Sequence, residues 1–421
     1  MKEGDVVRIR TSDEEIEGVV LPSFDEKIVL LKLNSGYNVG IEKRKIKNTE
    51  KLGVKKNKSF PEAKAIQKKG KPGVSMIATG GTISSRVDYS TGAVKPLMSP
   101  QQLFFLAPRL LDTLKVNKIE RPFAVLSENM TPKHWQKIAK LTADLLNKKE
   151  NRGIIITHGT DVLHYTAAAL SFMLKDLNKP VVLTYSQRST DRGSTDTVLN
   201  LTCAGYAAIS DIAEVMLVGH SSSSDDECYA LRGVKCRKMH TSRRDTFRPI
   251  NDLPIARINE VGTIMKIGKS KKKDEKRKVV ADTAFEEKIA LIKYTPGADA
   301  GVIDYYVRKG FKGLVIEATG MGHVSTDTWL PAIEKAIKKG VVVCFAPQTL
   351  YGKLNQYIYS SGRELADVGV IFLEDILPET AYVKLGWVLG HEKNPDKVRK
   401  MMLQNIAGEF NPKITDKTFL Y

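Results

Sequence analysis

The 421-residue sequence has few cysteines and no long apolar run. It has four cysteines, none in a C-x-x-C pair, which is too few for a disulfide-stabilised secreted domain. No run of about 18 apolar residues occurs, so we expect no membrane-spanning helix and no membrane partner. The start, Met-Lys-Glu-Gly-Asp, lacks the apolar stretch of a secretory signal, and we therefore expect a cytoplasmic protein.

Motifs for nucleotides, serine nucleophiles and zinc are also missing. The chain has no G-x-G-x-x-G fingerprint, no complete Walker A loop and no Gly-x-Ser-x-Gly elbow. His158 and His164 are six residues apart and do not have the spacing of the zinc-binding H-E-x-x-H motif. We therefore expect neither a bound nucleotide nor a metal in this chain.

Positive charge is abundant and concentrated. The formal net charge is +18, and the segments 1–72, 232–248 and 266–278 each carry a net +6, so the remainder is neutral. Basic patches favour an anionic partner such as RNA. Solvated lysine-rich loops are the alternative, and for Lys269–Lys278 alone we favour the loop.

Hydrophobic patterning divides the chain into four parts. Residues 1–53 contain short apolar runs separated by turns, which is typical of a small SH3-like β-barrel, and the Lys-rich residues 54–72 indicate a linker. Strand and helix patterns then alternate through two regions, 73–285 and 286–421. This alternation predicts an α/β fold with doubly wound, mostly parallel sheets, and Arg121–Leu126 is predicted as one of the strands.

Two loops that follow apolar strands combine glycines with hydroxyl groups. They are Thr79-Gly80-Gly81-Thr82-Ile83 and His158-Gly159-Thr160-Asp161. Ligands of doubly wound sheets bind where loops leave the carboxyl ends of the strands. A hydroxyl nucleophile needs a base, and a Lys with a lowered pKa could serve, although composition alone does not choose which Lys. Asp161 could cap the following helix, bind a ligand ammonium group, or do both.

The two loops, in this order and about 80 residues apart, resemble the amidohydrolase motifs of the bacterial-type L-asparaginase/glutaminase family. Three shorter segments resemble the family's lid, its substrate-binding turn and the start of its second domain: Asp88–Gly92, Ser127–Met130 and Tyr294–Gly297. Lys238, with His240-Thr241-Ser242 and Phe247 downstream, resembles the family's catalytic Lys segment, although Lys235 lies nearby. The resemblance covers about residues 73–421 and implies an asparaginase-like two-domain core.

By that resemblance the catalytic residues are Thr82, Thr160, Asp161 and Lys238. Thr82 would be the nucleophile that attacks the side-chain amide, and the other three would relay protons. The implied substrate-binding residues are Tyr89, Ser127, Glu128, Gly81 and Gly159. Backbone N–H groups near the two glycines would stabilise the oxyanion. The family also implies a homodimeric core.

The N-terminal barrel, the Lys-rich insertion and the basicity resemble the D-subunit family of archaeal glutamyl-tRNA(Gln) amidotransferases of the D/E type. This resemblance implies a glutaminase that passes ammonia to an E-type subunit within a heterotetramer. ATP, Mg²⁺ and tRNA would be bound by that partner, and this chain would need no cofactor. One alternative is a stand-alone cytosolic L-asparaginase. Another is an RNA-binding scaffold on a retired enzyme fold, which the surviving Thr, Asp and Lys residues disfavour.

Overall fold

The computed structural model describes residues 1–23, 25–35, 37–54, 70–81, 83, 86–87, 94–95, 107–190 and 192–421, and the statements below refer to these residues. Its N-terminal part is a five-stranded antiparallel sheet. The strands are β1 (Asp5–Arg10), β2 (Glu15–Leu21), β3 (Ile28–Lys32), β4 (Asn38–Glu42) and β5 (Asn48–Val54), in the order β4-β3-β2-β1-β5. Val7, Ile9 and Leu31 face a small core of their own, as expected for a barrel-like domain.

The central part is built on an eight-stranded mixed sheet. Its strands are β6 (Gly73–Ala78), β9 (Lys115–Glu120), β10 (Gly153–Thr157), β12 (Val181–Thr184), β13 (Val215–His220), β14 (Glu227–Arg232), β17 (Ala256–Asn259) and β18 (Ile264–Lys266). The order is β18-β17-β14-β13-β12-β10-β6-β9. Five neighbouring strands run parallel: β9, β6, β10, β12 and β13. β14, β17 and β18 extend the sheet in antiparallel pairing.

Short strand pairs and helices complete this part. The pairs are β7 (Arg86–Val87) with β8 (Val94–Lys95), β11 (Leu174–Lys175) with β19 (Val280–Ala281), and β15 (Cys236–Lys238) with β16 (Phe247–Pro249). The helices are α1 (Pro108–Thr113), α2 (Pro132–Leu146), α3 (Leu163–Met173) and α4 (Thr197–Ala208). Every residue of β10, with the sequence Gly-Ile-Ile-Ile-Thr, is buried, because helices cover both faces of the parallel strands.

The C-terminal part has a four-stranded parallel sheet in the order β20-β21-β22-β23. The strands are β20 (Ile289–Lys293), β21 (Gly313–Ala318), β22 (Val342–Pro347) and β23 (Ile371–Phe372). The helices are α5 (Gly301–Arg308), α6 (Trp329–Lys338), α7 (Ser360–Asp367), α8 (Pro378–His391) and α9 (Pro395–Leu403). Helix α8 packs against both α3 and β21, and one hydrophobic cluster joins the central and C-terminal parts.

The predicted α/β architecture is confirmed, but one strand assignment is wrong. Residues 121–126 form a loop, and the strand beside β6 is β9, which ends at Glu120. β9 is the edge strand of the sheet and only its Val116 is buried, so its sequence lacks the apolar run that marks a central strand. In the part of the chain that the structure describes, no helix is long and apolar enough to cross a membrane.

The basic segment 232–248 is not a free anion-binding surface. Each of its seven cations forms an ion pair with a carboxylate of this chain: Arg232 with Glu214 and Asp252, Lys235 with Asp375, Arg237 with Glu379, Lys238 with Asp161, Arg243 and Arg248 with Asp245, and Arg244 with Asp225. The positive charge of this segment is therefore balanced by carboxylates of the same chain, in pairs that are partly buried and partly exposed. These ion pairs weaken the interpretation of this segment as a patch for an anionic partner.

Candidate active site

The loop after β6 is fixed by backbone contacts to the neighbouring loop. Thr79 donates from both its backbone N–H and its hydroxyl to the carbonyl of Thr157, at 3.1 and 2.9 Å. Gly81 has φ +84°, and a Cβ atom there would lie 2.4 Å from the backbone N of Gly159. Only glycine combines this backbone conformation with so close an approach. The two loops singled out from the sequence therefore touch.

The loop after β10 begins with a buried neutral histidine. His158 Nδ1 lies 2.7 Å from the carbonyl of Gly159, which can only accept, so Nδ1 carries the proton. Nε2 then accepts from the hydroxyl of Thr166 at 2.9 Å, and Thr166 accepts from the indole N–H of Trp135. Burial lowers the pKa of His158 to about 4, so the ring is uncharged near neutral pH. His158 therefore has a structural role in this loop, and the candidate catalytic residues are those that follow it.

Three of the predicted catalytic side chains meet at the carboxyl end of β10. Lys238 Nζ donates to Thr160 Oγ1 at 2.9 Å and to Asp161 Oδ1 at 2.7 Å. Thr160 is buried, the Lys238 side chain is 12% exposed and that of Asp161 is 61% exposed. A hydroxyl, an amine and a carboxylate in this contact can pass a proton between a buried reacting group and solvent.

The geometry also separates the two lysines between which the sequence left a choice. Lys238 is on β15 and reaches the loop of Thr160. Lys235 donates instead to the carboxylate and the carbonyl of Asp375, at 2.7 and 3.0 Å, and both side chains are almost fully buried. Burial lowers the pKa of Lys235, and Asp375 opposes that shift. Lys235 thus joins the two α/β parts, and Lys238 faces the candidate site.

The C-terminal part holds the segment of Lys238 at two further points. Thr380 Oγ1 donates to the carbonyl of Val234 at 3.0 Å, and Arg237 pairs with Glu379 at 3.0 Å. Burial raises the pKa of Glu379 although Arg237 lies beside it. The start of α8 therefore helps to position β15.

His164 lies in the same buried cluster, with its Nε2 4.0 Å from Glu379 Oε1. Burial, together with the positive charges of Arg237 and Lys238, lowers the pKa of His164 to about 3. The ring is therefore neutral near neutral pH. His164 lies on α3, which packs against α8, and it serves the contact between these two helices.

Other predicted site residues lie at different distances from this centre. Ser127 is buried, and its Oγ accepts from the backbone N–H of Asp161 at 3.2 Å, which brings the predicted substrate-binding turn against the catalytic loop. Glu128 is exposed on the short 3₁₀ helix Ser127–Asn129. Thr82, the predicted nucleophile, and Tyr89, on the predicted lid, lie outside the described residues.

Gln187 was not anticipated from the sequence. It follows β12, and its Oε1 lies 3.5 Å from Thr160 Oγ1. The sequence signal that could have identified Gln187 is its position directly after β12, a parallel strand adjacent to β10. The carboxyl ends of neighbouring parallel strands lie at the same edge of the sheet. Beside this centre an open cavity of ≈ 310 Å³ is lined by Asp161, Lys238 and residues 239–241. No group of three or more potential metal ligands occurs within the described ranges.

Models of known families match three parts of the chain. The GatD N-terminal domain matches residues 1–52, the N-terminal asparaginase domain matches residues 73–270, and the C-terminal glutaminase/asparaginase domain matches residues 288–402. The D subunit of glutamyl-tRNA(Gln) amidotransferase from Thermococcus kodakarensis is 47% identical over 99% of this chain and 96% of its own length. The chain belongs to the family of amidotransferase D subunits. The Pyrococcus abyssi member is 48% identical over 99% of this chain and 97% of its own.

Solved structures relate this family member to L-asparaginases. The thermostable L-asparaginase from Thermococcus kodakarensis superposes with a TM-score of 0.71 at 26% identity, over 81% of this chain and 100% of its own. L-asparaginase I from Vibrio cholerae gives a TM-score of 0.67 at 26% identity, with the same coverage of both chains. The fold of this D-subunit family member is thus an asparaginase-like core with an added N-terminal domain.

Proposed function

We propose that this chain is the glutaminase subunit of a tRNA-dependent amidotransferase and hydrolyses glutamine to glutamate and ammonia. The observation that carries the proposal is the contact of Lys238 Nζ with both Thr160 Oγ1 and Asp161 Oδ1. Membership of the D-subunit family supports the amidotransferase assignment. The identity of 47–48% to D-subunit relatives, against 26% to L-asparaginases, favours this assignment over a stand-alone asparaginase.

In the proposed reaction Thr82 Oγ attacks the carbonyl carbon of the glutamine side chain and forms an acyl-enzyme ester. Thr160 and Lys238 accept the hydroxyl proton and return it to the leaving nitrogen, which departs as ammonia. Water then cleaves the ester and releases glutamate, and the Thr82 hydroxyl is restored. Backbone N–H groups beside Gly81 and Gly159 would stabilise the oxyanion of each tetrahedral intermediate.

Substrate recognition is proposed to use the turn and the carboxylates around this centre. Ser127, Glu128 and Asp161 would hold the α-carboxylate and α-ammonium groups of glutamine, and Tyr89 would close the site. The 61% exposure of the Asp161 side chain leaves it open to a substrate cation. Ammonia would pass to an E-type subunit that uses ATP and Mg²⁺ and binds the tRNA, within a heterotetramer built on a homodimer of this chain. The aminoacyl-tRNA in the relatives' name supports a cytoplasmic location.

The test is ammonia release from glutamine and from asparagine, by the full chain alone and with an E-type subunit plus glutamylated tRNA(Gln). We expect release from glutamine to rise when the partner and the charged tRNA are added. Thr160→Val, which keeps the shape but removes the hydroxyl, should lower the rate at least ~10²-fold, the usual contribution of proton transfer by a positioned group. Strong asparagine hydrolysis that ignores the additions would instead support a stand-alone asparaginase.

A further inference from the structure

The side chain of Gln187, which contacts Thr160, has a hydrogen-bond donor without a partner. Its Oε1 accepts from Thr160 Oγ1 at 3.5 Å, which is long for a hydroxyl donor. Its Nε2 is shielded from solvent and has no hydrogen-bond partner among the described residues. A buried amide N–H₂ without an acceptor is unfavourable, and native proteins rarely leave one in that state. Such a donor beside a reactive hydroxyl indicates that an acceptor arrives with the ligand.

The backbone around Gln187 is held rigidly by one buried carboxylate. Asp196 accepts from the backbone N–H of Gln187 at 2.9 and 3.1 Å and from the N–H of Arg188 at 3.0 Å. It also accepts from Ser186 Oγ at 2.8 Å and from Asn200 Nδ2 at 3.2 Å. Asp196 lies at the start of α4 and is fully buried. The side chain of Gln187 is therefore presented from a fixed base beside Thr160.

We propose that Gln187 is a substrate-binding residue whose Nε2 donates a hydrogen bond to the oxygen of the substrate's side-chain carboxamide. This inference rests on the proposed glutaminase function and deepens it. The substrate carboxamide must approach Thr160 to react, and the carboxamide of Gln187 is already within 3.5 Å of that hydroxyl. The carbonyl oxygen gains negative charge as the tetrahedral intermediate forms, so the hydrogen bond strengthens in the transition state.

The experiment compares four full-length variants with the wild type, each assayed with the E-type subunit present. Gln187→Met removes the amide at similar size, and Gln187→Glu replaces the donor with an acceptor at the same shape. Gln136→Met is the matched control, because Gln136 is also half-buried and its Nε2 donates at 2.8 Å to the carbonyl of Thr283, which is not one of the candidate site residues. Thr160→Val reports the proposed function itself. The readouts are kcat and KM for glutamine, and Tm.

For Gln187→Met we expect kcat/KM to fall at least ~10-fold, mainly through kcat, while Tm stays the same or rises. Gln187→Glu should lose at least as much activity, and Gln136→Met should keep wild-type kinetics. Wild-type kinetics in Gln187→Met, or a fall in Tm with kcat/KM unchanged per folded molecule, overturns the inference and leaves the glutaminase assignment standing. A wild type that releases no ammonia from glutamine overturns both.

Discussion

Two single variants, Lys235→Met and Lys238→Met, should have different effects: the first should lower stability and the second should lower catalytic activity. Lys235→Met leaves the carboxylate of Asp375 buried without its cation, since both side chains are almost completely shielded from solvent. Removing one partner of a buried ion pair costs about 3–5 kcal/mol. With an unfolding entropy of about 2.1 cal/mol/K per residue, a chain of 421 residues loses roughly 1 °C of Tm per kcal/mol, so the expected fall is about 3–6 °C.

Lys238→Met should behave in the opposite way. Its ion-pair partner Asp161 is largely exposed, so the pair adds only ~0–1 kcal/mol to stability. The amine is, however, the group that contacts Thr160 Oγ1, and its loss should lower glutamine hydrolysis at least ~10²-fold.

The assay pairs scanning calorimetry with ammonia release per folded molecule. The double variant Lys235→Met/Asp375→Asn is the control, because it removes both charges and should recover part of the lost Tm. A Lys238→Met enzyme with more than a tenth of wild-type activity, or a Lys235→Met protein with an unchanged Tm, would refute the assignment of the two lysines.

Three further expectations concern the loops, the buried histidines and the N-terminal domain. Gly81→Ala should cost at least ~2 kcal/mol more than Gly340→Ala, as measured by thermal unfolding, because both have similar positive φ but only the first places Cβ against backbone. A result in which the two alanine variants are equally stable would contradict the close packing of the loops. The pKa of His164 is held at about 3 in the folded state, below its unfolded value, so its contribution to the free energy of unfolding is present above pH ~6.5 and is lost as the pH falls. Between pH 7 and pH 5 the free energy of unfolding of the wild type should therefore fall by ~2 kcal/mol more than that of His164→Leu, as measured by calorimetry at both pH values. Equal pH dependence in the two proteins would contradict this prediction. Deleting residues 1–53 should leave the main calorimetric transition within a few degrees, because their hydrophobic cluster is separate from the central one; a collapse of that transition would show that the domain supports the core.

The contact between the two glycine loops could be predicted from the sequence, because glycines and strand order determine it. The loops after β6 and β10 could be recognised because Gly81 and Gly159 follow apolar strands, and parallel strands bring such loops to one edge. The choice between Lys235 and Lys238 needed the structure, since side chains three residues apart in extended backbone point to opposite sides. Residue spacing contains no information about which side the C-terminal part covers.

Other features depend on contacts between distant segments. The ion pairs of segment 232–248 use carboxylates that are up to about 140 residues away, so counting charges within the segment did not show that its cations are paired. Edge strand β9 lacks the apolar run that marks the central strands. The contact of Gln187 with Thr160 and the hydrogen bond from Gln187 to Asp196 could not be predicted from the sequence, because they depend on how the loop between β12 and α4 folds.

The contact between the two glycine loops also limits how this enzyme can be altered by mutation. A Cβ atom at Gly81 would collide with backbone, and one at Gly159 would collide with Ser127. Substitutions at these two positions should therefore destabilise the fold, independently of the substrate. Met239, His240 and Thr241 line the rim of the adjacent cavity and are exposed to solvent. A library that diversifies Met239 and Thr241 would sample new substrate shapes at little cost in stability, whereas His240 is needed for the turn, because its Nδ1 accepts from the backbone N–H groups of Ser242 and Arg243.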